Sequence, residues 1–306
     1  MCDTRSTKRE RSWENGSIRG RRPGLGRVAR LCALGTVEPY ATRLSEIIDR
    51  MHPSGLLYST YEGRLLAQLD RSRLPQHVAV LADGNRRWAR LNAPGQPLVA
   101  GYEAGADKLT QFCSWCDEVG IPIVTLWVLS TDNLQRARTG ELEELLKVIE
   151  ELVVTLSRHP HWRVQTVGDL GLLPDEMRST LCTATERTAD HTGMHINVAI
   201  AYGGRHELRD AVRSLLAEEA DKGTSLRELS QTVDMDQISE HLYTRGQPDP
   251  DLIIRTSGEQ RLSGFLMWQS AHSEFYFCEA LWPDFRKVDF LRALRSFTQR
   301  ERRYGR

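Results

Sequence analysis

From residue 77 onward, apolar runs of strand length alternate with helical patterns of ten residues or more. Such runs lie at 77–82, 121–129, 163–167, 194–201, 252–255, 264–268 and 274–277. Between them, helical spacing occupies 103–118, 141–156, 174–190, 206–220, 225–233 and 235–243, and a last helix closes the chain at about 288–303. The clearest is 141–156, with Leu142, Leu145, Leu146, Ile149, Leu152, Val153 and Leu156 on one face and Glu141, Glu143, Glu144, Lys147 and Glu150 on the other. Continuous apolar strands joined by long helices need both faces of a sheet covered, and that is the pattern of a parallel sheet. The expected fold is therefore a single α/β domain at 73–306, a mostly parallel central sheet flanked by helices, preceded by a helix within 51–72.

Residues 1–50 are rich in Arg and Gly without a sustained period, and read as a disordered basic arm or as sequence upstream of a start at Met51. The chain balances 41 basic against 41 acidic residues, but residues 1–30 hold nine Lys/Arg against three Asp/Glu. The remainder is mildly acidic, so no nucleic-acid partner is expected. No apolar run approaches the roughly 18 residues that cross a bilayer, so at most peripheral membrane contact is expected. Six cysteines in 306 residues are too sparse for a disulfide framework, which points to a reducing, cytoplasmic location. The one CxxC pair, Cys113 and Cys116, falls inside a helical pattern and reads as core.

In parallel sheets, ligands bind beyond the carboxyl ends of the strands. After the first strand come Asp83-Gly84-Asn85-Arg86-Arg87-Trp88. A carboxylate there suits a divalent cation, and the glycine permits a sharp turn. The amide and guanidinium groups suit phosphate oxygens, although the same residues could simply cap a helix. The second strand ends in Ser130-Thr131-Asp132-Asn133 with Arg136 beyond, and the fourth in Gly203-Gly204-Arg205, either an anion nest or a tight turn. Arg255, Arg261 and Ser263 follow the next strand, with Glu274 further on. Several strand ends carrying Arg with hydroxyl or amide donors, plus two acidic metal candidates, describe a diphosphate pocket. GxxxxGK[ST], GxSxG, HExxH and DDxxD are all absent from the sequence, which argues against P-loop, α/β-hydrolase, zincin and trans-type prenyl synthase chemistry.

These motifs, together with Tyr202-Gly203-Gly204-Arg205, Trp268-Gln269-Ser270-Ala271-His272-Ser273-Glu274 and Trp282-Pro283-Asp284-Phe285, resemble the cis-prenyltransferases, the undecaprenyl diphosphate synthase family, and most of all its short-chain Z,E-farnesyl branch. The resemblance implies a homodimer that joins isopentenyl diphosphate to an allylic diphosphate with a new cis double bond, using Mg²⁺. It implies that Asp83 holds Mg²⁺ at the allylic diphosphate, with Gly84, Arg86, Arg87 and Trp88 around the phosphates. Asn85 would stand where the new bond forms. Arg255, Arg261 and Ser263 would take isopentenyl diphosphate, Glu274 would assist its Mg²⁺, and Ser130, Asn133 and Arg136 would lie near the substrates.

The departures from the family pattern carry their own expectations. Tyr102 stands where many members have a His, which leaves the proton acceptor open. Val128 and Leu129 replace a small residue and a Phe at the start of the product tunnel. A bulkier wall there implies a short product, with a longer, branched or cyclised prenyl diphosphate as the alternative. A non-catalytic partner subunit would lack the first-motif Asp, whereas Asp83-Gly84-Asn85 is intact. An Arg-x-Gly within 302–306 matches a tail that completes the partner's site in some members, or is a frayed end.

Overall fold

A computed structural model describes residues 53–136 and 139–300. The basic segment 1–50 and the tail 302–306 lie outside the described residues. Helix α1 (Pro53–Gln68) leads to β1 (His77–Leu81), α2 (Asn85–Asn92), α3 (Val99–Val119) and β2 (Ile123–Trp127). Then follow α4 (Thr131–Arg136), α5 (Thr139–Ser157), β3 (Arg163–Val167), α6 (Asp175–Arg187), β4 (His195–Ala199), α7 (Gly204–Asp221), α8 (Leu226–Thr232) and α9 (Met235–Ser239). The described chain ends with β5 (Leu252–Arg255), β6 (Glu274–Phe277) and α10 (Lys287–Gln299).

The six strands form one sheet, ordered β3-β4-β2-β1-β5-β6, and every pairing is parallel. The α/β reading thus holds, with one correction: 264–268 is a turn, not a strand. Gly264 and Leu266 both have positive φ, which a strand cannot accommodate, and the apolar side chains are buried by the turn itself. A short apolar run does not distinguish these cases by periodicity. The run 121–129 is trimmed too. Ile121 N–H closes α3 on the Cys116 carbonyl, and Val128 and Leu129 both donate to the Ala199 carbonyl.

One sheet face packs against α3, α5 and α10, where Phe112 meets Trp282, Phe285 and Phe290 edge-on at 5.2–6.3 Å. Cys113 and Cys116 are fully buried in this core, as their spacing suggested. The other face buries Ala79, Leu81, Tyr202, Ile253, Phe265 and Leu266.

At the amino end of that second face runs a polar network. His77 bonds the Pro248 carbonyl through Nδ1 (2.8 Å) and Thr125 through Nε2 (2.7 Å), and Asn197 donates to Thr125 and Gln247. Burial disfavours the imidazolium and lowers His77 and His195 from 6.5 to about 4. Between those values the unfolded chain binds more protons than the folded one. Stability is therefore expected to be flat above neutral pH and to fall as pH drops from 6.5 toward 4. Urea midpoints at pH 7.5, 6 and 5 check this, and an unchanged midpoint at pH 5 would contradict it.

Candidate active site

β1 and β5 are neighbours, and the chain runs from β1 to β2 on one side and from β5 to β6 on the other, so the connections diverge and open a crevice beyond the carboxyl ends of this pair. Leu81 is level with both Trp127 and Arg255. Register alone therefore brings the residues after these three strands to one place. Thr256 fixes the turn after β1: its hydroxyl accepts from Asp83 N–H (3.0 Å) and lies 2.8 Å from the Asp83 carbonyl as donor. Gly84 follows at φ 110°, with Leu281 so near that a Cβ would sit 2.9 Å from its side chain. That turn points Asp83 into the crevice and starts α2 at Asn85.

Arg255, 4% exposed, reaches Asp83 Oδ2 at 3.1 Å, Ser263 Oγ at 3.0 Å and the Arg261 carbonyl. Burial lowers its pKa, and the Asp83 carboxylate opposes that. Arg87 donates to the Ser257 carbonyl (3.3 Å) and lies 3.9 Å from Glu259, which also pairs with Arg261. Arg86 lies 3.7 Å from Glu141. The crevice thus holds four guanidiniums, each facing a carboxylate of the chain itself. Ser257 and Ser263 sit at φ 73° and 51°, a strained loop in which Ser257 Oγ and Arg255 Nε are buried without partners.

Helices α2 and α3 touch through glycine. A Cβ on Gly101 would collide with the Asn85 backbone carbonyl, and one on Gly105 would sit 2.6 Å from Asn85 Oδ1. That Oδ1 is buried with no partner. Asn85 also borders a small cavity of about 30 Å³, together with Tyr102, Gly105, Trp127, Val128 and Leu145. Val128 lines this cavity, whereas Leu129 is core. Trp127 stacks on Phe265 with centroids 5.1 Å apart.

Other expected residues take different places. Trp88 donates its indole N–H to Asp284 at 2.7 Å. Ser130 Oγ accepts from Asn133 N–H and so caps α4; the Arg136 side chain lies outside the described residues. Gly204 donates to the Gly264 carbonyl, so the Gly203-Gly204 turn serves close backbone approach, not an anion nest. Glu274 begins β6 opposite Leu252, three residues or about 10 Å before the carboxyl end, and pairs with Arg300 at 2.7 Å. Within one chain it cannot share an ion with Asp83.

The sequence reading missed Thr256, Glu259, Glu141 and the buried Glu207. Glu207 accepts from the Tyr202 hydroxyl, Tyr243 N–H and Gln269, and Tyr202 in turn accepts from Leu266 N–H. These bonds tie the turn after β4 to the loop that carries Ser263. Thr256 and Glu259 lie between the quoted residues Arg255 and Ser263, whereas Glu141 and Glu207 lie outside the quoted motifs and carried no signal in the sequence.

Residues 81–305 match the prenyltransferase family described as undecaprenyl diphosphate synthase. The chain belongs to this family. A (2Z,6E)-farnesyl diphosphate synthase of Thermobifida fusca is 57% identical over 249 residues, 81% of this chain and 97% of that one. Isoprenyl transferase 1 of Streptomyces avermitilis is 54% identical over 250 residues, 82% of this chain and 96% of that one. Among solved structures, this prenyltransferase is similar to lavandulyl diphosphate synthase from Lavandula x intermedia in complex with dimethylallyl diphosphate. The TM-score is 0.70 at 32% identity, covering 77% of this chain and all of the other. No helix among the described residues is long and apolar enough to cross a membrane.

Proposed function

We propose that the chain condenses isopentenyl diphosphate with geranyl diphosphate to give (2Z,6E)-farnesyl diphosphate, using Mg²⁺. The observation that carries this is a crevice where Asp83, Arg87, Arg255 and Ser263 converge next to Asn85, which also lines a cavity walled by Val128. The 57% identical relative from Thermobifida fusca, a (2Z,6E)-farnesyl diphosphate synthase, supports the farnesyl product.

The donor set suits Mg²⁺. Among the described residues no three side chains form a closed cage, and Mg²⁺ typically takes one or two carboxylates, with phosphate and water completing the shell. Asp83, half exposed and aimed into the crevice, is the carboxylate that would hold it. The ion, when bound, neutralises charge on the departing diphosphate. Arg86 and Arg87 at the start of α2 hold the allylic diphosphate, with the helix N-terminus adding to the attraction. Arg255, Arg261 and Ser263 orient isopentenyl diphosphate. As the allylic C–O bond breaks, the double bond of isopentenyl diphosphate attacks the allylic carbon, and loss of a proton completes the product. Asn85, at the junction of phosphate site and cavity, orients the reacting carbons. The cavity walls then limit elongation, since close-packed side chains yield little.

The working unit is a homodimer. Glu274, too far from Asp83 in its own chain, lies on the edge strand β6 near Phe277, which is 41% exposed. An exposed apolar residue on an open sheet edge favours pairing with a second copy.

The test is incubation with Mg²⁺, labelled isopentenyl diphosphate and, in turn, dimethylallyl, geranyl or farnesyl diphosphate, with products read by mass. Geranyl diphosphate should give a single product of farnesyl length, and a ladder of long products would overturn the reading. Val128→Ala should add a product about one isoprene unit longer, because it removes a wall of the cavity.

A further inference from the structure

Arg86 and Tyr102 converge on one oxygen of a residue outside the quoted motifs. Glu141, the third residue of α5, accepts the Tyr102 hydroxyl on Oε1 at 2.5 Å, and Arg86 lies 3.7 Å from the same atom. Tyr102 is buried and lines the cavity beside Asn85. Its hydroxyl remains a donor, because burial and the Glu141 charge both raise its pKa. The two ends of the ion pair differ in freedom. The Arg86 side chain is 54% exposed and the Glu141 side chain 20%. The arginine is the member that can swing away, and the carboxylate is pinned by the tyrosine.

We infer that Glu141 is a positioning residue that competes with diphosphate for Arg86. It holds the arginine while the crevice is empty and yields it to the more highly charged diphosphate of the allylic substrate. It takes the arginine back as inorganic diphosphate departs. A guanidinium binds a phosphate group bidentately and strongly, so one carboxylate loses the contest yet still weakens net binding. Tyr102 prevents the carboxylate from following the arginine into the crevice. The inference rests on the proposed role of Arg86 as a ligand of the allylic diphosphate.

A double-mutant cycle tests it, reading KM for geranyl diphosphate and inhibition by inorganic diphosphate, with thermal melts as a folding control. Glu141→Gln keeps an acceptor for Tyr102 and removes the charge. It should lower KM and the inhibition constant about two- to fivefold, the range for a partly exposed pair. In an Arg86→Gln background, which by itself should raise both constants, adding Glu141→Gln should change neither. An equal fall in both backgrounds would mean that Glu141 acts only as diffuse negative charge, and would overturn the competition. So would a Glu141→Gln enzyme with unchanged or raised constants while Arg86→Gln still weakens binding, and the phosphate role of Arg86 would then stand alone. If Arg86→Gln changes neither constant, the reading of Arg86 as a phosphate ligand fails and the competition fails with it.

Discussion

Asp83→Ala should lower kcat/KM by about three orders of magnitude, the scale for removing an electrostatic group that acts on charge developing in the transition state. The effect on folding should be small. The Asp83 side chain is 49% exposed, so its removal empties no cavity. The turn is fixed by the Asp83 backbone on Thr256, which alanine preserves. Arg255 loses a counter-charge but keeps Ser263 and the Arg261 carbonyl. A stability cost of about 1 kcal/mol is therefore expected, near the upper end for partly exposed pairs. Single-turnover rates at saturating Mg²⁺, with urea unfolding alongside, measure both. A variant within tenfold of the parent would remove Asp83 from the centre of the mechanism.

The second large effect comes from two glycines one helical turn apart. Gly101→Ala sets a methyl against the Asn85 carbonyl and 2.9 Å from the Ala89 Cβ, groups that move only if α2 moves. A cost of about 3 kcal/mol is expected, the high side of overpacking, despite the roughly 1 kcal/mol that alanine gains over glycine in a helix. Gly105→Ala instead meets the Asn85 side chain, Oδ1 at 2.6 Å and Cγ at 2.9 Å, and a side chain can rotate. Stability should change by less than about 1 kcal/mol, while kcat/KM falls about a hundredfold because the group beside the reacting carbons is displaced. The pair separates folding from catalysis at one helix contact. If Gly105→Ala stays within threefold of the parent activity, Asn85 does not orient the reaction.

Much of this architecture was legible in the chain. The strands 163–167, 252–255 and 274–277 were read with the bounds observed, because each apolar run is short and bracketed by turn residues. The run 264–268 misled because Phe265 and Leu266 are buried in a turn, and burial leaves the same apolar mark in either conformation. At the site, the strand-end rule found Asp83, Arg87, Arg255 and Ser263, whose common address follows from parallel register. It could not place Glu274, because a residue at the start of a strand and one at its end look alike until the strand's direction and length are known. It also passed over Glu141. That acidic residue opens an amphipathic helix, where a negative charge already has a reason to be, and only the fold brings Tyr102 and Arg86 to it.

The proposed anion ligands stand on strand ends, on the first turn of α2 and on the loop after β5, whereas the cavity walls come largely from α3 and α5. In the proposed mechanism, bond-making and measurement thus fall to different parts of the chain. Wall residues can drift in size without disturbing the charges that drive ionisation, so a lineage built on this scaffold can retune its molecular ruler one helix position at a time and keep its chemistry throughout.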